Sequence, residues 1–154
     1  MIQWLSEKWY RNQYKLRKYF RETPQIQYGN YTTIWKKVLE YIINIDTEDD
    51  GDKFNTQDIT VIDDGSFFGT LIFIVHRQDG MEPDMEDYIL TKIQYGSCSV
   101  CDTLQHIQTE NDNGDIDDLP NETQLNDYML LALHMIQNAR WLSDLYKGDT
   151  YENN

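Results

Sequence analysis

The sequence predicts an α+β domain: an antiparallel three-stranded meander packed by helices, in the order ααβββαα. Apolar residues recur at helical spacing through the first 45 residues and again toward the C-terminal end. Between them, three stretches within residues 58–95 have strand character and are separated by turn-forming residues. At 154 residues the chain is one domain's worth. Residues 1–45 are expected to form a basic helical part, 58–95 the sheet, 121–147 a C-terminal helix and 148–154 a frayed tail.

Each element has its own reason. Residues 2–21 place Ile2, Leu5, Trp9, Leu16 and Phe20 on one helix face and Lys8, Arg11, Lys15 and Lys18 on another. Thr23-Pro24 ends this helix, because proline disfavours helical geometry in the residue before it. After a turn at Tyr28-Gly29-Asn30, a second helix runs from about Thr32 to Asn44. Its broad apolar stripe is Tyr31, Ile34, Trp35, Val38, Leu39, Ile42 and Ile45. An acidic loop over 46–57 follows. Asp58–Ile62 reads as a strand, Asp63-Asp64-Gly65 as a type I′ hairpin turn, and Phe67–His76 as a longer strand. The Leu71–Val75 core of that strand is apolar on both faces, which predicts a central strand covered on each side. Gly69 marks a bulge or a close backbone approach.

Past a loop over 78–86, Asp87–Tyr95 alternates as a third strand, and Gly96 opens a short helix over Cys101–Thr109. Asn111–Pro120 is irregular. Asn121-Glu-Thr-Gln124 has the residue types of a capping box, with Asn in place of Ser or Thr. It starts a long helix to about Tyr146, with Leu125, Met129, Ala132, Ile136, Ala139 and Tyr146 on one stripe and Gly148 as its stop.

Charge is the strongest functional signal. The chain carries a net charge of −14, spread unevenly. Residues 1–40 hold eight bases and three acids, a net of +5, whereas residues 41–154 hold five bases and 24 acids, a net of −19. The acids cluster at Asp46–Asp52, Asp79–Asp87 and Glu110–Asp118 among Gly, Asn and Pro, the composition of exposed loops. Asp49, Asp50, Asp52, Asp84, Glu86, Asp87, Asp115, Asp117 and Asp118 are therefore the candidate partner-binding residues. They would present carboxylates to the Lys and Arg of a partner protein with a basic surface. If they line one face they imitate DNA phosphates, and binding weakens with salt; the plainer role is solubility.

So acidic a chain repels nucleic acid and anionic membrane. No apolar run approaches the ~20 residues of a bilayer span, and Met1–Glu7 lacks a signal-peptide pattern, so a cytoplasmic location is expected. The basic first helix is expected to pair with the protein's own acids, a second copy or an acidic partner. Its Tyr10, Tyr14 and Tyr19, interleaved with Lys and Arg, also suit base stacking.

The remaining motifs are few. Cys98-Ser-Val-Cys101 lies between a strand and a helix, the placement of a thiol-redox pair. Zinc would need His106 plus His76 or His134 to converge on the two cysteines. The economical reading is two buried thiols filling space where helix meets sheet, with no metal or cofactor. Asp46–Asp52 resembles the start of a calcium loop, but Gln57 stands where a bidentate Glu belongs. Asn111–Asp115 matches less well, with Pro120 at that position. Asp63 and Asp64 serve the turn more simply than paired-carboxylate catalysis. His134, within the last helix, reads as a structural histidine. No nucleophile elbow, phosphate loop or HExxH is present, so a non-enzymatic protein is expected.

Ile62-Asp-Asp-Gly65, Gly69-Thr-Leu71 with Phe73, and above all Tyr95-Gly-Ser-Cys-Ser-Val-Cys-Asp-Thr-Leu104 resemble a group of small uncharacterised proteins of bacteriophages and prophages of Gram-positive bacteria. The resemblance spans residues 58–107. It implies an accessory phage protein in the bacterial cytoplasm, where a Cys98–Cys101 disulfide is disfavoured. By analogy of size and charge, the class expected is an inhibitor of a host nucleic-acid-processing or defence protein, of the anti-restriction or anti-CRISPR kind. An immunity-type antitoxin against a basic toxin, a zinc or redox protein centred on Cys98 and Cys101, and a self-assembling phage component are the alternatives.

Overall fold

The computed structural model describes residues 1–78, 82–110 and 116–147. Helix α1 spans Ile2–Glu22 and ends at Thr23, whose extended backbone precedes Pro24 as expected. Leu5, Leu16 and Phe20 are buried, whereas Ile2 at its start is exposed. A short 3₁₀ turn over Gln25–Tyr28 leads to α2, Tyr31–Val38, which continues as a π-helical turn through Ile43. Asn30 caps α2 by accepting from the Thr33 N–H. The wider turn lets the Asn44 N–H reach the Leu39 carbonyl at 2.7 Å, and buries Leu39, Ile42 and Ile43 together.

The sheet is antiparallel with spatial order β1-β2-β3-β4: Thr60–Asp63, Gly69–His76, Tyr88–Tyr95 and Arg140–Trp141. It therefore has four strands, not three. Helix α3 is Thr103–Thr109, α4 is Glu122–Gln137 and α5 is Leu142–Lys147, so the order is ααβββααβα. The expected single helix over 121–147 breaks at Asn138–Trp141. There Arg140 and Trp141 pair with Leu90 and Ile89 of β3, and Trp141 stacks on Trp4 of α1 with ring centroids 5.6 Å apart. Tertiary pairing overrides a helical stripe that no Gly or Pro interrupts. The expected tail over 148–154 lies outside the described residues.

Strand β2 is interior, as expected, but the two sides of the sheet differ. Phe73 and Val75 are buried with Ile89 of β3 under the helices, while Ile72 and Ile74 on the other face are only half-buried. The sheet is thus covered by helices on one face. Thr91, fully buried, donates its hydroxyl to the Met135 carbonyl and ties α4 to β3. The β1–β2 connection runs through five residues, 64–68, rather than a two-residue type I′ turn. Asp63 accepts from the Gly65 N–H and Asp64 from the Thr70 N–H, so both carboxylates organise this loop. A Cβ on Gly69 would lie 2.7 Å from Asp64 Oδ1, the close approach its position suggested. Asn121 and Gln124 form the anticipated capping box at the start of α4. Gln124, fully buried, also donates to the Ile107 carbonyl at 3.0 Å, joining α4 to α3.

Candidate functional site

The acidic loops divide between the two ends of β2. Beyond His76 the strand is held on both sides by backbone: Asn55 N–H donates to the His76 carbonyl at 2.8 Å and Gln78 N–H to Lys53 at 2.7 Å. The Arg77 N–H donates to the Asp87 carbonyl at 3.0 Å. The 49–53 and 84–87 segments are therefore brought to the same end of the sheet. Asp49, Asp50, Asp52, Asp84 and Glu86 are exposed there, and Asp87 is half-buried. Local duties occupy several of them. Asp49 accepts from the Gly51 N–H, Asp50 pairs with Lys53 at 2.7 Å, and Asp84 and Asp87 build a reciprocal cap on the 3₁₀ turn Met85–Asp87. The Lys53 ammonium, bonded to the Asp50 carboxylate, holds it below the usual carboxylate range.

Asp117 and Asp118 sit elsewhere. The Asp118 carbonyl accepts from the Gln25 N–H at 3.1 Å, ahead of α2. Tyr31 at the start of α2 reaches Asp102, which also takes the Gly96 N–H just past the C-terminal end of β3. That is the opposite end of β2, since Tyr95 pairs with Gly69. Asp115 lies outside the described residues. Six of the nine predicted acids thus share an end of the sheet, and Asp117 and Asp118 do not join them.

The basic face of α1 is partly consumed inside the molecule. Lys8, on the expected basic face, is buried and bonds to Asp46, the Ile43 carbonyl and Thr47. Arg11 also pairs with Asp46 at 3.3 Å, and Arg17 with Glu122 at 3.5 Å. Burial raises the Asp46 pKa, but the Lys8 and Asn12 hydrogen bonds and the Lys8 and Arg11 charges outweigh it, so the net direction is down. This role for Asp46 leaves it spoken for, rather than first ligand of a calcium loop. Tyr10 and Tyr14 are exposed, but Tyr19 packs on Tyr41 with centroids 5.1 Å apart, which breaks the expected stacking ladder.

The cysteines overturn the expectation of buried filler. Both are exposed and unoxidised, with Sγ atoms 2.6 Å apart. The turn that holds them closes through the Cys101 and Asp102 N–H groups, both donated to the Cys98 carbonyl at 3.1 and 2.9 Å. A hydrogen bond from the Cys98 thiol lowers the Cys101 pKa. Gly96 is required beside them, because a Cβ there would lie 2.6 Å from the Cys101 carbonyl oxygen. Asp102 anchors the far side: 4% exposed, it accepts from Tyr31 Oη at 2.8 Å and from the Gly96 and Gln105 N–H groups. Nearby, Tyr95 Oη donates to Asp63 at 2.6 Å, which pushes the phenol up to about 12.

No group of three or more His, Cys, Asp or Glu among the described residues is placed to hold a metal, so His106 does not complete a zinc site with Cys98 and Cys101. His106 instead pairs with Glu110 at 3.3 Å, and His76 lies between Asp58 and the Arg77 carbonyl. His134 is exposed on α4 and is not the satisfied structural histidine expected. No helix is long and apolar enough to cross a membrane among the described residues. No protein-family model, curated protein or solved structure matches the chain.

Sequence reasoning missed Arg77. One of five bases after residue 40, it closes the apolar β2 strand between two acidic loops, and that isolation was the available signal.

Proposed function

We propose that this chain is a non-enzymatic, acidic interaction protein that docks on the basic surface of a nucleic-acid-processing or defence protein in a bacterial cytoplasm. The phage-protein resemblance supplies the setting. The observation that carries the reading is the gathering of Asp49, Asp50, Asp52, Asp84, Glu86 and Asp87 at one end of β2, where Lys53 and Arg77 are the neighbouring bases. Carboxylates fixed on short, hydrogen-bonded turns can meet Lys and Arg with little loss of conformational freedom. DNA mimicry, in this reading, is confined to those two loops. A partner captured from a Gram-positive lysate on the immobilised chain should be a nucleic-acid-binding protein, released by salt and by competing duplex DNA. Retained proteins that ignore both would contradict the reading.

The exposed cysteine turn favours one second reading, dithiol–disulfide exchange. The Cys101 thiolate would attack a small-molecule disulfide, forming a mixed disulfide and expelling one thiolate. Cys98 would then attack the Cys101 sulfur, closing the intramolecular disulfide and expelling the second. The two protons pass to the released thiolates, and the small disulfide gains two electrons. Titration with glutathione redox buffers should give a reversible Cys98–Cys101 disulfide, and Cys98→Ser should trap the mixed disulfide. Absence of both would remove this reading.

A further inference from the structure

Behind the acidic end of β2 lies a cavity of about 410 Å³ whose walls differ in character from the surface around it. Trp4 and Trp141 stack on one another, Phe54 packs on Trp141 at 6.0 Å, and all three line the cavity. Arg77 lines it too, with its guanidinium carbon 5.1 Å from the Trp141 ring centre and 5.8 Å from that of Phe54. Lys8, whose ammonium is already paired with Asp46, also lines the cavity, 5.6 Å from the Trp4 ring centre.

The hydrogen bonding of Arg77 is incomplete. Its Nε is buried with no hydrogen-bond partner, and Nη1 is 3.9 Å from the Asp52 carboxylate, beyond hydrogen-bond reach. A buried donor left unsatisfied is unfavourable. The backbone of the arginine is held in place, because it bridges to Phe54 and donates to Asp87. A guanidinium lying against two neighbouring aromatic rings, with its planar fork unfilled, suits an oxyanion. The flat walls beside it suit a ring system, and the volume falls in the range of small-ligand sites.

We propose that this cavity binds a small oxyanion carried on a flat ring, with Arg77 engaging the anion, Trp4, Trp141 and Phe54 the ring, and Asp52 competing for the guanidinium until the ligand displaces it. A carboxylate and a phosphate share this chemistry, so two probes separate them: 1-naphthoate and adenosine 5′-monophosphate, with 1-naphthamide as the uncharged control.

The readout is the set of four indole N–H signals in a ¹H–¹⁵N spectrum, assigned by Trp→Phe variants. Saturable shifts of Trp4 and Trp141, but not of Trp9 or Trp35, are expected with a Kd of about 1 mM or tighter for at least one anion. The amide should bind at least tenfold more weakly, roughly the worth of a charge-assisted contact. Arg77→Gln should weaken anion binding by a similar factor, whereas Asp52→Asn should strengthen it. Equal binding of acid and amide, shifts centred on Trp9, or no saturation with either anion would overturn the proposal. Should Arg77→Gln fail to fold, the amide comparison and Asp52→Asn decide it.

Discussion

At the scale of single residues, two carboxylates, buried Asp102 and half-buried Asp46, tie together segments distant in sequence. Asp102 satisfies the Tyr31 hydroxyl and two backbone N–H groups from a site 4% exposed. Asp102→Ala leaves two buried donors and one part-buried donor without an acceptor, and should cost about 3 kcal/mol in chemical denaturation. Asp46 does comparable work for Lys8 and Arg11. Its folded pKa is depressed below the ordinary value of about 3.9. The stability it contributes is therefore complete above that value and is lost as the pH falls through the lower, folded pKa. The stability difference between wild type and Asp46→Asn should accordingly be largest near neutral pH and shrink below about pH 4. A difference that grew on acidification would refute the assigned role. The sequence raised pairing of the basic helix with the protein's own acids but not which acid, and carried no sign of the Asp102 partnership. Lys8 stands at helical spacing with Arg11 and Lys15, and only the fold shows that its position faces the π turn of α2 rather than solvent.

At the scale of elements, the sequence was most informative where local chemistry decides the outcome. Thr23-Pro24 stops α1, Asn121 and Gln124 cap α4, and Gly69 marks a close approach, all for reasons contained within a few residues. It was least informative where distant contacts decide. Nothing between Gln137 and Leu142 is a helix breaker by type, yet Trp141 leaves the helix to stack on Trp4 and pair with Ile89. The exposed cysteines are a similar case: thiols are usually buried, but a turn whose carbonyl is committed to two N–H groups presents them outward. Gly96 fixes that turn. Gly96→Ala would push a methyl against the Cys101 carbonyl and Sγ, at 2.6 and 2.7 Å. It should cost about 2 kcal/mol, in line with overpacking of a tight site, and should change the reactivity of both thiols toward a disulfide reagent. Unaltered stability and reactivity would mean that the turn adapts.

At the scale of the whole molecule, the excess of acid was plain from composition, but its distribution was not. The sheet separates the acidic segments: Asp49–Asp52 and Asp84–Asp87 meet through the backbone around Arg77, while Asp118 lies against Gln25 at the other end of β2. Some basic residues of α1 are neutralised internally by Asp46 and Glu122, so the surface left to a partner is more one-signed than the sequence suggests. The most direct test immobilises the wild-type chain, the triple variant Asp49→Asn/Asp50→Asn/Asp52→Asn and the double variant Asp117→Asn/Asp118→Asn in parallel, and exposes each to the same Gram-positive lysate. A nucleic-acid-binding protein displaced by duplex DNA should be retained by the wild type and the double variant and lost from the triple variant. Equal retention by the triple variant, or no such protein on the wild type, would contradict the docking role of the acidic end.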